Sequence, residues 1–574
     1  MRNPNSLSVV AVLVCLVCGI VCVRAQTQLQ SRAAPASSEE PTSGSINGSA
    51  VNEAGQPLAG VVVFVRDTSA GGISRSTITN AEGDFRLNGL GPGLYTISGF
   101  LPAYVMDPVD PNLPTSRFRV GDTVRLELIR GGVITGTVLN GIGEPLIGVR
   151  VRAMMVRGTQ GETPLFYASG EQATDDRGVY RFYGLAPGTY VISAGGGSSQ
   201  PFQISAYDSD VPTYASSATR DNALEVNVRP GEENNVDIRY RGEPGHAVSG
   251  TVKLTTNGGS TVTILLANTY VPVGTMFQGM GNRGFAFYGM GDGEYDIIAQ
   301  EVTQVPGSQT PQLAISERKR VVVKGADVTG LEIVPRPLPS LSGRIVLEPS
   351  KAEACQGKRR PLFAEMLVSL QRPEPDDQER EPFLRMFSGP AQPDASGNFT
   401  IRNLMPGKYL LEPRFFGRYW YLHSISLPGT PKVDAAANWT NIKSGDQITN
   451  FTITLAEGAA SIRGNVTTPN ASELPAGLAV YLLPAQSEKF ADVLRYFVSS
   501  VEANGAFALD NLPPGRYHVL VQSVDAMTST PFKLRLPEAN EARTKLRRSA
   551  ETHKTDLELK PCQNLVDHNV IFQP

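Results

Sequence analysis

The sequence predicts an all-β chain of five tandem β-sandwich domains behind an export signal. A paired glycine–aromatic and proline–glycine–tyrosine pattern returns five times. Glycine and proline are abundant, 57 and 42 of 574 residues, while charged residues make up only 19 %. Helical periodicity is nearly missing, and short stretches alternate apolar and polar residues instead. A chain of this length exceeds what one core fills, and ~4–5 domains of ordinary size follow. The apolar share of 41 % fills several small cores. A net charge of −3 lacks the basic surplus of a nucleic-acid binder, so no nucleic acid is expected as partner.

The first element is residues 1–25, read as a signal peptide. Arg2 supplies a positive start, Leu7 to Val23 is uncharged and apolar, and Val23-Arg24-Ala25 offers a cleavage point. An uncleaved anchor is the alternative, near the lower length limit for a span. No transmembrane segment is expected once the signal is removed, and the chain is expected to be secreted or extracytoplasmic. Residues 26–43 are small, polar and proline-containing, and read as a flexible spacer.

Repetition then divides the chain into residues 44–130, 131–242, 243–336 (the divergent copy), 337–456, and 457–574 with a C-terminal extension. Each unit opens on a Gly-x-Val type strand, loosely Gly48 to Val51 in the first copy. The others are Gly136-Thr137-Val138, Gly250-Thr251-Val252, Gly343-Arg344-Ile345 and Gly464-Asn465-Val466. In two copies a turn follows, Gly55 to Gly60 and Gly143 to Gly148, before a β-branched run. The closing part is sharper. It runs Gly83-Asp84-Phe85 with Leu90-Gly91-Pro92-Gly93-Leu94-Tyr95, and Gly178-Val179-Tyr180 with Leu185 to Tyr190. It returns as Gly284-Phe285 with Met290 to Tyr295, Gly397-Asn398-Phe399 with Leu404 to Tyr409, and Gly505-Ala506-Phe507 with Leu512 to Tyr517. Pro presets φ and Gly accepts φ > 0, so Pro-Gly predicts a type II turn with the aromatics on flanking strands. Another alternating strand, such as Val124-Leu126-Leu128 or Phe451-Ile453-Leu455, leads almost directly into the next unit, so linkers are short. The best helix candidate is Glu538 to Glu551, read as solvated.

The motif Gly-x-Pro-Leu-x-Gly-Val, followed by Gly-x-Phe and Leu-x-Pro-Gly-x-Tyr, resembles the carboxypeptidase regulatory-like domain. The resemblance implies a transthyretin-like (Ig-like) β-sandwich, grouped with carbohydrate-binding-like folds and similar to the B-type repeats of bacterial collagen adhesins. It is strong in units one and two, good in the closing motif of four and five, and weakest in three. Tandem arrays of this kind look like exported bacterial proteins. Function does not follow from such a fold, and the matching glycines, prolines and tyrosines are read as fold residues.

No catalytic residue, metal site or cofactor is expected. The five histidines, His246, His423, His518, His553 and His568, lack zinc-motif spacing, and no nucleophile elbow or phosphate loop occurs. Asp107 with Asp110, Asp175 with Asp176, and Asp208 with Asp210 fall short of a calcium loop and suit turns. Residues 1–252 contain no lysine, so units one and two form no Lys–Asn crosslink. Two cysteines outlast the signal, Cys355 and Cys562. They stand either as a pair closing a loop of over 200 residues or as separate thiols.

An aromatic cluster is the one candidate site. Trp420 and Trp439 lie within twenty residues, with Phe415, Phe416, Tyr419 and Tyr421 around the first. Flat aromatic faces suit sugar rings, which makes Trp420, Trp439, Tyr419 and Tyr421 candidate carbohydrate-binding residues. The ordinary reading is that Tyr419 to Ile425 is one strand with alternate residues in the core. A charged insert, Lys358-Arg359-Arg360, and the acidic stretch 374–381 read as solvated loops. Four functions are weighed: an envelope or cell-surface structural and interaction module with a polysaccharide or envelope protein as partner, a carbohydrate-binding protein with its platform in unit four, an enzyme whose carboxylate pair is assembled from distant loops, and an accessory array of an outer-membrane uptake system.

Overall fold

The computed structural model describes residues 44–67, 74–106, 117–158, 171–196, 205–254, 258–267, 272–279, 283–306, 310–371, 389–427, 440–469, 474–475, 477–523, 540–553 and 555–572. Residues 1–43, on which the expected signal and spacer fall, Asp107, Asp110, the acidic stretch 374–381 and Trp439 lie outside the described residues.

The fold is all-β, built of paired sheets packed as β-sandwiches. In every unit the opening strand has the same two neighbours. Gly44–Val51 runs antiparallel to Asp84–Leu90 and parallel to Thr123–Arg130. Gly132–Leu139, His246–Val252, Ser340–Glu348 and Ala460–Thr467 repeat this arrangement. A second sheet pairs the β-branched run with the strand that follows the closing turn: Val62–Asp67 with Tyr95–Phe100, Met366–Gln371 with Gly407–Phe415, and their counterparts. Alternation sends one face of each sheet inward. The buried apolar side chains gather in five main clusters within residues 46–128, 134–240, 248–333, 341–455 and 460–572.

The opening glycine has a steric cause. The parallel neighbouring segment passes so close that a Cβ on Gly48, Gly136, Gly250, Gly343 or Gly464 would lie 2.2, 2.0, 2.1, 2.4 or 1.8 Å from one of its carbonyl oxygens.

The closing turn differs from the type II expectation. Gly93 is not left-handed, and Gly188, Gly407 and Gly515 have φ of 156°, 157° and 151°, close to extended. The left-handed residue stands just before the motif's Leu or Met instead: Gly89, Gly184, Gly289, Asn403 and Asn511, at φ of 68°, 67°, 70°, 60° and 57°. In four units the ladder slips there, as in a β-bulge that re-aims the strand. Glycine and asparagine are the residues that tolerate this conformation. The tyrosine then folds back across the turn. Tyr95, Tyr190, Tyr295, Tyr409 and Tyr517 each donate the phenol hydrogen to the carbonyl four residues earlier, at 2.7, 2.8, 2.9, 2.8 and 2.8 Å.

Burial pushes the Tyr95, Tyr190 and Tyr517 phenols above their ordinary pKa of 10.0, and Tyr295 up to about 12. An acid whose folded pKa lies above its unfolded one stabilises the fold below the unfolded value and loses that contribution as pH rises towards the folded value. The tyrosines' contribution is therefore expected to be constant below pH 10 and to fall as pH rises from 10 through about 12. Phenolate absorbance recorded with circular dichroism checks this: phenol ionisation near pH 10 without unfolding would contradict it.

The C-terminal segment is part of unit five rather than an extension. Asp556–Leu559 pairs with Gly515–Ser523, while Asn564–Leu565 and Val570–Ile571 pair in parallel with the opening strand. The helix Asn540–His553 is not merely solvated. Ala550 is buried and Leu546 packs with it against Ala479, Tyr481, Leu483 and Leu520 on the outer face of a sheet. These two residues are four apart, on one helix face.

Candidate functional site

Unit four crosses from one sheet to the other between Gly407–Phe415 and Trp420–Ser426, and the crossing carries the aromatic run. A tight turn, with Trp420 N donating to the Gly417 carbonyl at 3.1 Å, leaves Phe416 and Arg418 exposed. Trp420 itself is fully buried in the unit-four core, and Tyr421 is 8 % exposed. This corrects the platform expectation for both residues, since a sugar ring has no access to them. Simple alternation is corrected too. A register shift lies between Leu422 and Ser424. Trp420 faces its own core, while Tyr421 packs on Ala456 and Ala459 at the join with unit five. Tyr419 is half-buried; its carbonyl accepts from Gly458 and Ala459 at 2.8 and 2.9 Å.

The neighbouring unit fixes this crossing. The side-chain amide of Asn511 donates to the carbonyls of Gly417 and Trp420 at 2.6 and 2.7 Å. Asn511 occupies the left-handed bulge position, and the equivalent Asn403 reaches back in the same way into unit three. It donates to the Pro311 carbonyl at 2.9 Å and accepts from Leu313 N at 2.8 Å. Gly289, at the same position of unit three, lies against unit two. A Cβ there would come within 2.4 Å of the Asp210 carbonyl oxygen. In units three, four and five this one position thus makes the turn and the joint together. Apolar packing of Leu313 and Leu338 with Met405 joins units three and four. A disulfide joins Cys355 to Cys562, with Cα atoms 5.4 Å apart, and so ties unit four to unit five.

Asn511→Gly keeps the backbone conformation and deletes both bonds, leaving two carbonyls to find other partners. It is expected to cost ~1–3 kcal/mol and to raise protease sensitivity between units four and five. Unchanged digestion and unfolding would show that the joint is held without it.

The arrangement leaves an open groove of ≈ 610 Å³ beside Phe416, lined by side chains of units one, four and five. Arg119 of unit one lies with its guanidinium 4.4 Å from the centre of the Phe416 ring. Arg463 of unit five reaches Asp510 at 3.2 Å. Arg359 contributes from the charged insert and reaches the buried Glu365 at 2.7 Å, and Lys358 stands 4.9 Å from the Tyr419 ring. The insert is therefore folded against the site rather than a free loop. Arg418 is exposed and has no ion pair among the described residues. The aromatic run and the Lys-Arg-Arg insert were legible as features of unit four. Arg119 and Arg463 carry no local signal, because only the fold brings them there.

A second cleft, ≈ 380 Å³, lies in unit two beside Glu225, Arg229 and Glu232 and has no aromatic wall. Among the described residues no group of three or more His, Cys, Asp or Glu side chains is gathered that could hold a metal ion. No described helix is long and apolar enough to cross a membrane.

These features define a class: tandem β-sandwich repeats with side-chain joints and a basic, aromatic-walled groove. Residues 45–105 match the carboxypeptidase regulatory-like domain family. No curated protein matches the chain. Among solved structures, the Bacillus anthracis TIE protein is 16 % identical, with 51 % of each chain covered and a TM-score of 0.15. The chain thus spans about half the length of that protein. The minor pilin GBS52 of Streptococcus agalactiae is 14 % identical, covering 34 % of this chain and 96 % of the pilin, TM-score 0.20. The shaft pilin SpaA of Lactobacillus rhamnosus GG is 10 % identical, covering 35 % and 98 %, TM-score 0.17.

Proposed function

We propose that this chain is a non-catalytic, exported repeat protein that serves as a structural and interaction module at a bacterial envelope or cell surface. The observation that carries the reading is the fastening of successive units. Asn403 and Asn511 bond to backbone of the unit before, and a covalent bridge spans units four and five. A chain built this way holds its modules at set spacings, which suits a spacer or scaffold. A disulfide persists in oxidising compartments, and with the signal-like N-terminus it supports an extracytoplasmic place.

The test is cell fractionation of the full chain in a bacterial host, with N-terminal sequencing of the mature form and thiol labelling without reductant. Export with cleavage near residue 25 and no reactive thiol is expected. A protein retained in the cytoplasm with Cys355 and Cys562 free would sink the reading.

A further inference from the structure

Resting on the envelope-module reading, we infer that the groove beside Phe416 binds an acidic polysaccharide, a chain of uronic acid residues. Four arginines, Arg119, Arg359, Arg418 and Arg463, line it with one carboxylate, Asp510, while Arg359 also meets Glu365 behind it and Arg119 stands 3.9 Å from Asp122. The chain as a whole is slightly acidic, at −3, so this surplus is local. Three units supply it, and it forms only when they are joined. Arg463 and Arg359 each spend part of their donor set on one carboxylate. A guanidinium has five N–H donors, so both keep donors to offer. Arg418 has no ion pair among the described residues and stands at the surface.

Arginine suits this ligand in particular. Its planar fork grips a carboxylate through two parallel hydrogen bonds, and it is less strongly hydrated than an ammonium. The wall supplies the rest. Phe416 is 38 % exposed, with its ring held by Arg119. A flat apolar ring takes the C–H face of a pyranose, while sugar hydroxyls stay in water. The volume lies in the range of small-ligand sites, room for a few sugar residues of a longer chain. A neutral glycan would leave the exposed Arg418, which has no ion pair among the described residues, without counter-charge.

The experiment is titration calorimetry of the oxidised full chain with polygalacturonate and alginate, beside dextran and a single-stranded DNA oligonucleotide. Saturable binding to the two polyuronates is expected, weakening with salt and absent for dextran. Arg418→Glu is expected to lower affinity roughly tenfold or more, as loss of a charge-assisted bond does. Phe416→Ala is expected to lower it severalfold. Both residues are exposed, and melting curves identify any variant that has lost its fold. Because the two variants differ in chemistry, either one still tests the groove if the other misfolds. The inference is overturned if the parent binds neither polyuronate, if folded variants bind as the parent does, or if the oligonucleotide binds more tightly. An exported, surface-placed chain that ignores polyuronates ends this inference alone, whereas a chain that is never exported ends the module reading.

Discussion

Trp420→Ala is expected to destabilise unit four by ~3–5 kcal/mol, the cost of deleting a large, fully buried aromatic whose surroundings relax only in part. The side chain is 0 % exposed and packs in the cluster of Ile345, Phe399, Ile425 and Ile453. Chemical unfolding followed by tryptophan fluorescence and by protease sensitivity of unit four would read the change. An effect below about 1 kcal/mol would place the ring at a yielding surface instead. A consequence follows for ligand work. Loss of binding in a Trp420 variant reports loss of fold, so Phe416 and Arg418, exposed on the same crossing, are the residues to change.

The second large effect is expected from the covalent bridge. Cys355 and Cys562 are 207 residues apart in sequence. Chain-entropy reasoning sets the stabilisation from closing such a loop at up to ~5 kcal/mol. Reduction, or the double change Cys355→Ser and Cys562→Ser, is expected to lower the unfolding midpoint of units four and five together and to leave units one to three as they were. Hydrogen exchange resolved by segment measures this. The insert carrying Arg359 follows Cys355 directly, so its amides are expected to exchange faster as well. A reduced protein with unchanged exchange across units four and five would show that packing of Tyr421, Ala456 and Ala459 holds the joint by itself.

Much of the architecture was legible because it rests on local rules repeated five times. Val124-Leu126-Leu128 and Phe451-Ile453-Leu455 alternate, and they lie in strands that run parallel to the opening strands. Pro-Gly ahead of Tyr marks a turn but does not reveal its conformation. The left-handed residue proved to be the Gly or Asn before the Leu, a position that reads in sequence as any small polar residue. The tyrosine's bond to the carbonyl four residues back makes the turn a folded-back corner. The terminal strands 556–559, 564–565 and 570–571 looked like an extension because they are short and follow a charged helix. Only the pairing shows that they complete the sheets, 556–559 antiparallel to Gly515–Ser523 and the other two parallel to an opening strand some hundred residues earlier.

The sequence by itself determined the all-β class, the repeat, the likeness of residues 45–105 to a regulatory-like domain, and the strand that carries Trp420. All of these follow from periodicity and turn chemistry within about ten residues. The tertiary structure alone decided which neighbour each exposed side chain meets. Trp420 points inward and Tyr421, on the opposite face of the strand, is buried as well because it packs on Ala456 and Ala459 at the joint. Asn403 and Asn511 became clamps because a left-handed bulge aims them at the preceding unit. Arg119, Arg359, Arg418 and Arg463 came to one groove although up to 344 positions separate them (463 − 119). Charges so far apart in sequence leave no periodic trace, since their proximity is set by how folded units pack.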